Sequence, residues 1–459
     1  MPIRWRDAMD RALYGPGGFF VSGSGPVDHF RTSVHASPAF ATALLRVVEQ
    51  VDAALGHPDR LDVVDVGAGR GELLRALAGL AAGSAPATGA GSGVSGEPTR
   101  SGRSGLIPPR AGSPETLTSA AAVRPAPSLS GSGARPTDPA SAAVVPLAER
   151  VRFTAVELAS RPVDLPQEIH WVDEIPSGIT GLLVATEWLD NVPLDIAVHG
   201  SSGWRYLLVD PTSGVETVGD LVAPEDAEWL ATWWPVPGGY LADDVGLLPG
   251  AVTDGPGSTG SGFRAARPAQ GSSLTARSRS GCPETPTATS SEPSGSECPG
   301  SPTTIGMRAE IGRTRDEAWA GAVSRIYRGL ALAVDYGHLT AERPVDGTLT
   351  GYRGGRQVAP VPDGSRDVTA HVALDSVASA GERVARCAYS LSSQREALRA
   401  LGADGGRPPL TLAATDPAGY VRALAAASTV AELIDPAGLG GHRWLWQPVD
   451  MAFDPGVAR

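Results

Sequence analysis

The sequence predicts a doubly wound α/β fold with a mostly parallel, Rossmann-like sheet, and three observations predict it. The first is the stretch Leu61–Leu77, LDVVDVGAGRGELLRAL, where an apolar run ends at Gly67, Gly69 and Gly71 and an amphipathic segment follows at once. The second is the order of the other elements, in which apolar strands alternate with segments of helical spacing. The third is a distance. Val151–Leu158 reads as a second strand ending in Glu157; Gly71 and Glu157 lie 86 positions apart, 25 once the 61 residues of 82–142 are set aside. In nucleotide-binding βαβ units, ~20 residues separate the glycine turn from the acid that meets a ribose.

Taken in order, residues 4–14 place Trp5, Met9, Ala12 and Leu13 at helical spacing, and GPGGFF at 15–20 breaks that helix. DHFRTS at 28–33 is a polar loop around Phe30, and a helix is expected over Ser37–Leu55 with Pro38 in its first turn. Residues 82–142 and about 250–304 are rich in Gly, Ser, Pro and Thr; they cannot bury enough surface to offset their ordering entropy and read as two disordered insertions. Ile169–Val172 is a short third strand before Asp173, and Gly181–Val198 holds a buried-type strand followed by Glu187, Trp188 and Asp190. WRYLLVD at 204–210 alternates like a strand, and EDAEWLATWW at 225–234 is helical. From Arg313 to Tyr327 the spacing is helical again, and Gly329–Gly337 gives an apolar strand ending in Asp335. Gly347–Gly355 and Asp367–Gly381 read as strand and then helix, with Asp367 or Thr369 near the helix cap; two more helices, SSQREALRALGA and DPAGYVRALAAASTVAELID, precede HRWLWQPV, a final antiparallel strand.

This divides the chain into an N-terminal helical lid (1–60), a core (61–81 and 143–198), a cap (199–249 and 305–328) and a C-terminal half of the core (329–459). The net charge of −12 argues against broad electrostatic binding to nucleic acid or anionic membrane. All basic residues are Arg, a mark of base composition more than of design. Cys282, Cys298 and Cys387 show no disulfide or metal spacing, so no metal is expected and a reducing cytoplasm fits. No apolar run approaches the ~20 residues of a membrane span.

The glycine spacing selects among ligands. A dinucleotide fingerprint would place its third glycine where Glu72 stands. Glycines at every second position, with Asp65 just before them, look like the first motif of S-adenosylmethionine (AdoMet) methyltransferases, and a strand-end carboxylate suits a ligand with a cationic amino-acid head. An ordinary glycine-rich strand-to-helix turn fits the motif as well.

With these pieces placed, the chain resembles the AdoMet-dependent methyltransferases related to the mitochondrial complex I assembly factor that methylates arginine in a complex I subunit. The resemblance is carried by ALYGPGGFF (12–20), DHFRTS (28–33), VVDVGAGRGELL (63–74), TEWLDNVP (186–193) and AVDYG (333–337). GTLTGYR (347–353), DVTAHV (367–372), SSQREALRALG (392–402) and LIDPAGLGGHRWL (433–445) continue it in order. The chain departs from it at Thr186, where relatives usually carry Asn, and at Val34-His35, where many carry Pro-Glu. The resemblance implies a seven-stranded-type methyltransferase sheet, AdoMet as cofactor and a protein arginine as acceptor.

On that basis Asp65, Gly67, Ala68, Gly69, Gly71, Glu157 and Asp173 are the expected cofactor-binding residues. Glu187 and Asp190, at i, i+3 spacing after the fourth strand, are the expected catalytic acids, with His371 beside them. Tyr14, Phe30, Thr186, Asp335 and Asp367 are expected on the substrate side. The partner is expected to be a protein substrate. Three rival readings remain open: another methyl acceptor, a non-catalytic AdoMet-binding assembly protein, and a dehydrogenase, which Glu72 disfavours.

Overall fold

The computed structural model describes residues 1–21, 33, 38–83, 145–236 and 306–456. Phe30, Val34, His35, residues 84–142 of the first expected insertion and all of the second lie outside the described residues.

Seven strands form the main sheet: β1 Leu61–Val66, β2 Val151–Val156, β3 Ile169–Val172, β4 Ile179–Thr186, β5 Ile326–Asp335, β6 Ser390–Ser393 and β7 Arg443–Val449. Their order across the sheet is β3–β2–β1–β4–β5–β7–β6. The pairs from β3 to β5 are parallel, and β7 runs antiparallel to both β5 and β6. Chain order reverses between β1 and β4. At such a switch point the loops leave in opposite directions and open a crevice beyond the carboxyl ends of the strands.

The strand sequences explain why both faces are covered. In β4, Leu182 and Val184 pack into one core while Leu183 and Ala185 pack into the other; Leu330, Leu332 and Val334 alternate with Ala331 and Ala333 in the same way in β5. A continuous apolar run is thus split by the two-residue period of a strand, and each face needs its own helices. Helices α2 (Pro38–Ala54) and α3 (Glu72–Gly83) cover the first face through Phe40, Leu44, Leu73 and Leu77. Helices α4 (Arg313–Ser324) and α5 (Leu374–Ala385) cover the second through Trp319, Ala322, Val377 and Ala378.

A second, antiparallel sheet joins Ile3–Arg4, Gly203–Val209, Asp195–Gly200 and Arg308–Ile311 in that order, with Glu216–Leu221 paired to Gly203–Val209. Helix α1 (Trp5–Tyr14) lays Trp5, Met9 and Leu13 against Ile196, Leu207 and Val209 of this sheet. That packing carries the end of α1 to the mouth of the crevice.

Three local expectations are corrected. The helix from Arg313 stops at Ser324, and Ile326 and Tyr327 open β5. Asp367–Thr369 is a strand paired with Thr350–Arg353, while α5 begins at Leu374 after Ala373 without a side-chain cap, so neither Asp367 nor Thr369 caps a helix. Ser392 and Ser393 belong to β6, and the helix Gln394–Ala400 starts from a capping box between Ser393 and Glu396.

One buried ion pair ties the end of α2 to the start of β2. Arg150 donates to both carboxylate oxygens of Asp52 at 2.7 and 2.8 Å and to the Pro58 carbonyl at 2.7 Å, and His57 lies 2.8 Å from the same carboxylate. Burial alone would raise the Asp52 carboxyl, but its hydrogen bonds and the charges of Arg150 and His57 outweigh burial and hold it below the ordinary value. Asp52→Ala, which strands a buried guanidinium, is expected to cost about 3–5 kcal/mol in urea unfolding. Adding Arg150→Met should recover part of that loss.

Candidate active site

A cavity of about 730 Å³ lies beyond the carboxyl ends of β1, β2 and β4. One half is built from the turn between β1 and α3. The N–H groups of Gly67 and Ala68 donate to the Val156 carbonyl at 3.0 and 3.3 Å, stitching the turn to the last residue of β2. Gly67 has φ 72°, and a Cβ there would stand 3.0 Å from Cδ1 of Trp188. Glycine alone satisfies both constraints. Gly67, Ala68 and Gly69 line the cavity, whereas Gly71 does not. The bareness of Gly71 serves packing instead, because a Cβ there would fall 2.7 Å from Leu165.

Acids surround this turn. Glu157 accepts from Gly69 N at 3.0 Å and Ala159 N at 3.1 Å, one bond to each oxygen, so each keeps a lone pair for a ligand. Burial still pushes its carboxyl above the ordinary value. Asp65 is 2% exposed, and its Oδ1 has no hydrogen-bond partner among the described residues. Burial, then the charges of Glu157 and Glu72, push its carboxyl well up. Asp173 lines the cavity at its exposed rim.

The other half is formed by α1 and the loop after β4. Thr186 ends β4, and both Thr186 and Glu187 face the cavity. Glu187 adopts φ 51°, a left-handed backbone unusual outside glycine, anchored by its N–H to the Val334 carbonyl at 2.8 Å. Its Oε1 accepts from Ser33 N at 3.0 Å. Loss of solvent, with the Asp190 charge nearby, pushes its carboxyl up to about 8. Tyr14 stacks on Phe20 with centroids 5.6 Å apart and donates to the Asn191 carbonyl at 3.3 Å.

Three expected acids lie behind this wall and not on it. Oδ2 of Asp335 accepts from Leu189 N at 3.0 Å and Asp190 N at 3.3 Å, capping the 3₁₀ turn Leu189–Asn191. Oδ2 of Asp190 accepts from the Tyr336 hydroxyl and from Thr369 Oγ1, the latter at 2.7 Å. Oδ1 of Asp367 accepts from Asn191 Nδ2 at 2.7 Å. Each leaves its other oxygen without a partner among the described residues, and burial first, then neighbouring acids, raises Asp335 and Asp367 well above the ordinary value. The helical turn expected to present Glu187 and Asp190 together does not include Glu187: the 3₁₀ turn begins at Leu189, Glu187 stands before it with a left-handed backbone and faces the cavity, and Tyr336 and Thr369 take up Asp190. His371 is also off the cavity: the residue is exposed, and its ring lies edge-on to Tyr336 at 5.2 Å.

Asp10, Phe20 and Asn191 line the cavity without having been singled out, although Phe20 and Asn191 fall within the GPGGFF and TEWLDNVP stretches. Arg315, which is 1% exposed, contacts the loop after β4 from α4. No spacing or composition marks it.

Fold and site together define a Rossmann-like, nucleotide-binding type of α/β protein with an acid-rich crevice at its switch point. Residues 145–391, more than half of the chain, match the model of the family described as "putative S-adenosyl-L-methionine-dependent methyltransferase", and the chain belongs to that family. Its cofactor is accordingly AdoMet. A search of the curated proteins finds no match. Among solved structures, the fold is similar to that of a Burkholderia thailandensis protein described as a "likely methyl transferase" and bound to S-adenosyl-homocysteine (TM-score 0.60, 19% identity, 100% of this chain and 91% of that one). A native structure of an uncharacterized protein from the same organism is similar too (TM-score 0.58, 20% identity, 100% and 90% coverage).

The cofactor fits the residues present. Gly69 leaves the main chain open to a ligand, since a Cβ there would meet only Glu72 Oε2 at 3.6 Å; Asp65 has an oxygen unpaired among the described residues, and Glu157 has spare acceptors. Gly67→Ala adds a left-handed-backbone cost of about 1–2 kcal/mol and a clash with Trp188. Relief of that clash moves the turn or Trp188, both of which line the cavity, so calorimetric titration should show weakened AdoMet binding.

Proposed function

We propose that this chain transfers a methyl group from AdoMet to a cationic nitrogen acceptor, a protein arginine side chain. The observation that carries this reading is the acidity of the cavity wall. Six acidic side chains line it (Asp10, Asp65, Glu72, Glu157, Asp173 and Glu187) against one guanidinium, Arg70. So acidic a wall favours a cationic donor and a cationic acceptor together, and disfavours anionic ones. The stacked pair Tyr14 and Phe20 adds aromatic rings to the wall, and the face of such a ring attracts a planar cation. The motif resemblance to the arginine-methylating assembly factor's family supports the same acceptor.

When bound, AdoMet supplies an electrophilic methyl on a sulfonium. The residues supply grip, alignment and charge. Asp65 and Glu157 hold the donor on the glycine turn. Glu187 grips the acceptor, its anion taking N–H bonds from the guanidinium and so orienting one nitrogen toward the methyl. Glu187 would keep the acceptor nitrogen in line with a sulfonium donor held on the glycine turn, which would give up its methyl and keep the electron pair of the broken C–S bond on sulfur. The methylated nitrogen then sheds one proton, and a Glu187 carboxylate with a high proton affinity is suited to receive it.

The test is transfer of tritiated methyl from AdoMet to proteins of a cell lysate. Label recovered as methylarginine after hydrolysis is expected, and Glu187→Gln should lower transfer roughly 100-fold. Label confined to small molecules would replace the acceptor, and tight AdoMet binding without transfer would replace catalysis with a binding role. The sign of the pH dependence follows from the raised Glu187 carboxyl. It is neutral below about 8 in the free protein, so kcat/KM should rise with pH up to that value. A bound cation favours the anion, so the kcat limb should lie at lower pH. Both limbs should vanish in Glu187→Gln.

A further inference from the structure

We infer that Arg315 is a positioning residue for the acceptor half of the cavity, acting through the backbone of residues 190–193. This rests on the methyl-transfer reading for its kinetic consequence but not for its structural one.

Arg315 projects from the first turn of α4 and is 1% exposed. Its Nε donates to the Val192 carbonyl at 3.2 Å, its Nη1 to the Ala370 and His371 carbonyls at 3.0 and 2.9 Å, and its Nη2 to the Asp190 carbonyl. The preceding residue continues the pattern, with Thr314 Oγ1 donating to the Pro193 carbonyl at 2.6 Å. From the opposite side the Tyr14 hydroxyl reaches the Asn191 carbonyl. Four consecutive carbonyls, 190 to 193, therefore each accept from a side chain of another element. Asn191, Val192 and Pro193 are cavity wall.

A strand or helix holds its carbonyls by its own repeat. This loop is held from outside, and Arg315 holds the largest share. It also binds the loop to 370–371, the segment that follows Thr369, itself a donor to Asp190. The residue type suits the task. A guanidinium carries five N–H donors in a rigid planar fork and can serve two segments at once, whereas an ammonium has three donors on one atom. Its charge also faces the buried carboxylates of Asp190, Glu310 and Asp335, so the clamp and the counter-charge are one group.

The cofactor half is held independently. The glycine turn hangs on β2 and on Glu157, with no bond to Arg315. A defect at Arg315 should therefore separate the two halves. A residue needed only for stability would degrade both.

The test compares Arg315→Lys, Arg315→Met and the milder Thr314→Val with wild type, in full-length protein. AdoMet affinity is read by calorimetry, backbone order by amide hydrogen exchange, and transfer by the tritiated-methyl assay on lysate protein. Arg315→Lys is expected to leave AdoMet affinity unchanged, to speed exchange at Asn191, Val192 and Ala370 but not within β4, and to lower kcat roughly 10–100-fold. Arg315→Met should be worse than Arg315→Lys, and Thr314→Val should show a smaller effect in the same direction. Wild-type exchange rates at those amides in Arg315→Lys would overturn the inference. So would AdoMet affinity falling in step with transfer. If wild type transfers no label, the proposed function fails, and the exchange and affinity results still decide the assignment of Arg315.

Discussion

The structure around the crevice depends on one constraint: Asp190, Asp335 and Asp367 are buried within reach of one loop, with Glu187 beside them. Burying an acid is costly unless its oxygens are hydrogen-bonded or its charge is balanced. Here the compensation is also the scaffold. Asp335 holds two N–H groups of the turn at 189–191, Asp190 is held by Tyr336 and Thr369, and Asp367 is held by Asn191. The carboxyl ends of β4 and β5 and the strand Asp367–Thr369 are thereby locked to one another. Arg315 is the buried cation set against this group. One guanidinium does not balance so many carboxylates, so the site retains a deficit of positive charge. Burial first, and then the charges of the neighbouring acids, raise the carboxyls of Asp335, Asp367 and Glu187.

The two halves of the cavity are made by different means. The cofactor half is local: one turn, one following helix and the end of the adjacent strand, organised by main-chain bonds and by glycines that allow close approach. The acceptor half is assembled from α1, the loop after β4, the end of β5, residues 367–371 and α4, organised by side chains. Trp188 touches both, lining the cavity beside Glu187 and packing over Gly67. The residues on either side of it are fixed by the Val334 carbonyl and by Asp335, upstream of the carbonyls that Arg315 holds, so the indole can stay in place when those carbonyls are released.

This difference governs what the sequence reveals. β1, the glycine turn, α3 and Glu157 were legible because their pattern is short-range: an apolar run, three glycines, and an acid at a fixed distance once a low-complexity stretch is removed. The strands β3, β4 and β7 were legible from apolar runs alone. The acceptor half was legible only as isolated acids. Asp190, Asp335 and Asp367 stand 145, 32 and 177 positions apart in their three pairings, and nothing in one dimension says which oxygen meets which donor. The fate of Asp190, engaged by Tyr336 and Thr369, follows from the meeting of three segments. Arg315 was invisible for a related reason. In RTRDEAWAGAVS an arginine in the first turn reads as solvated surface, and only the packing of α4 on the loop after β4 turns it inward.

Glu187 shows how the two modes meet. Continuing the alternation of β4 past Thr186 would carry the next side chain along the strand's own axis of faces. A left-handed residue breaks that alternation and re-aims it, and backbone of this kind persists only where its surroundings over-determine it. They do so here. The Glu187 N–H remains tied to β5 through Val334, while the next residues are fixed by Asp335 and Arg315. The strain is thus confined to one residue, and its consequence is a carboxylate at the junction of the two halves of the cavity. There it has lost enough water to hold its proton near neutral pH, and under the proposed function a bound cation would favour its charged form. An acid left on the regular strand would have been either solvated, and indifferent to a ligand, or buried in the core, and out of reach of one.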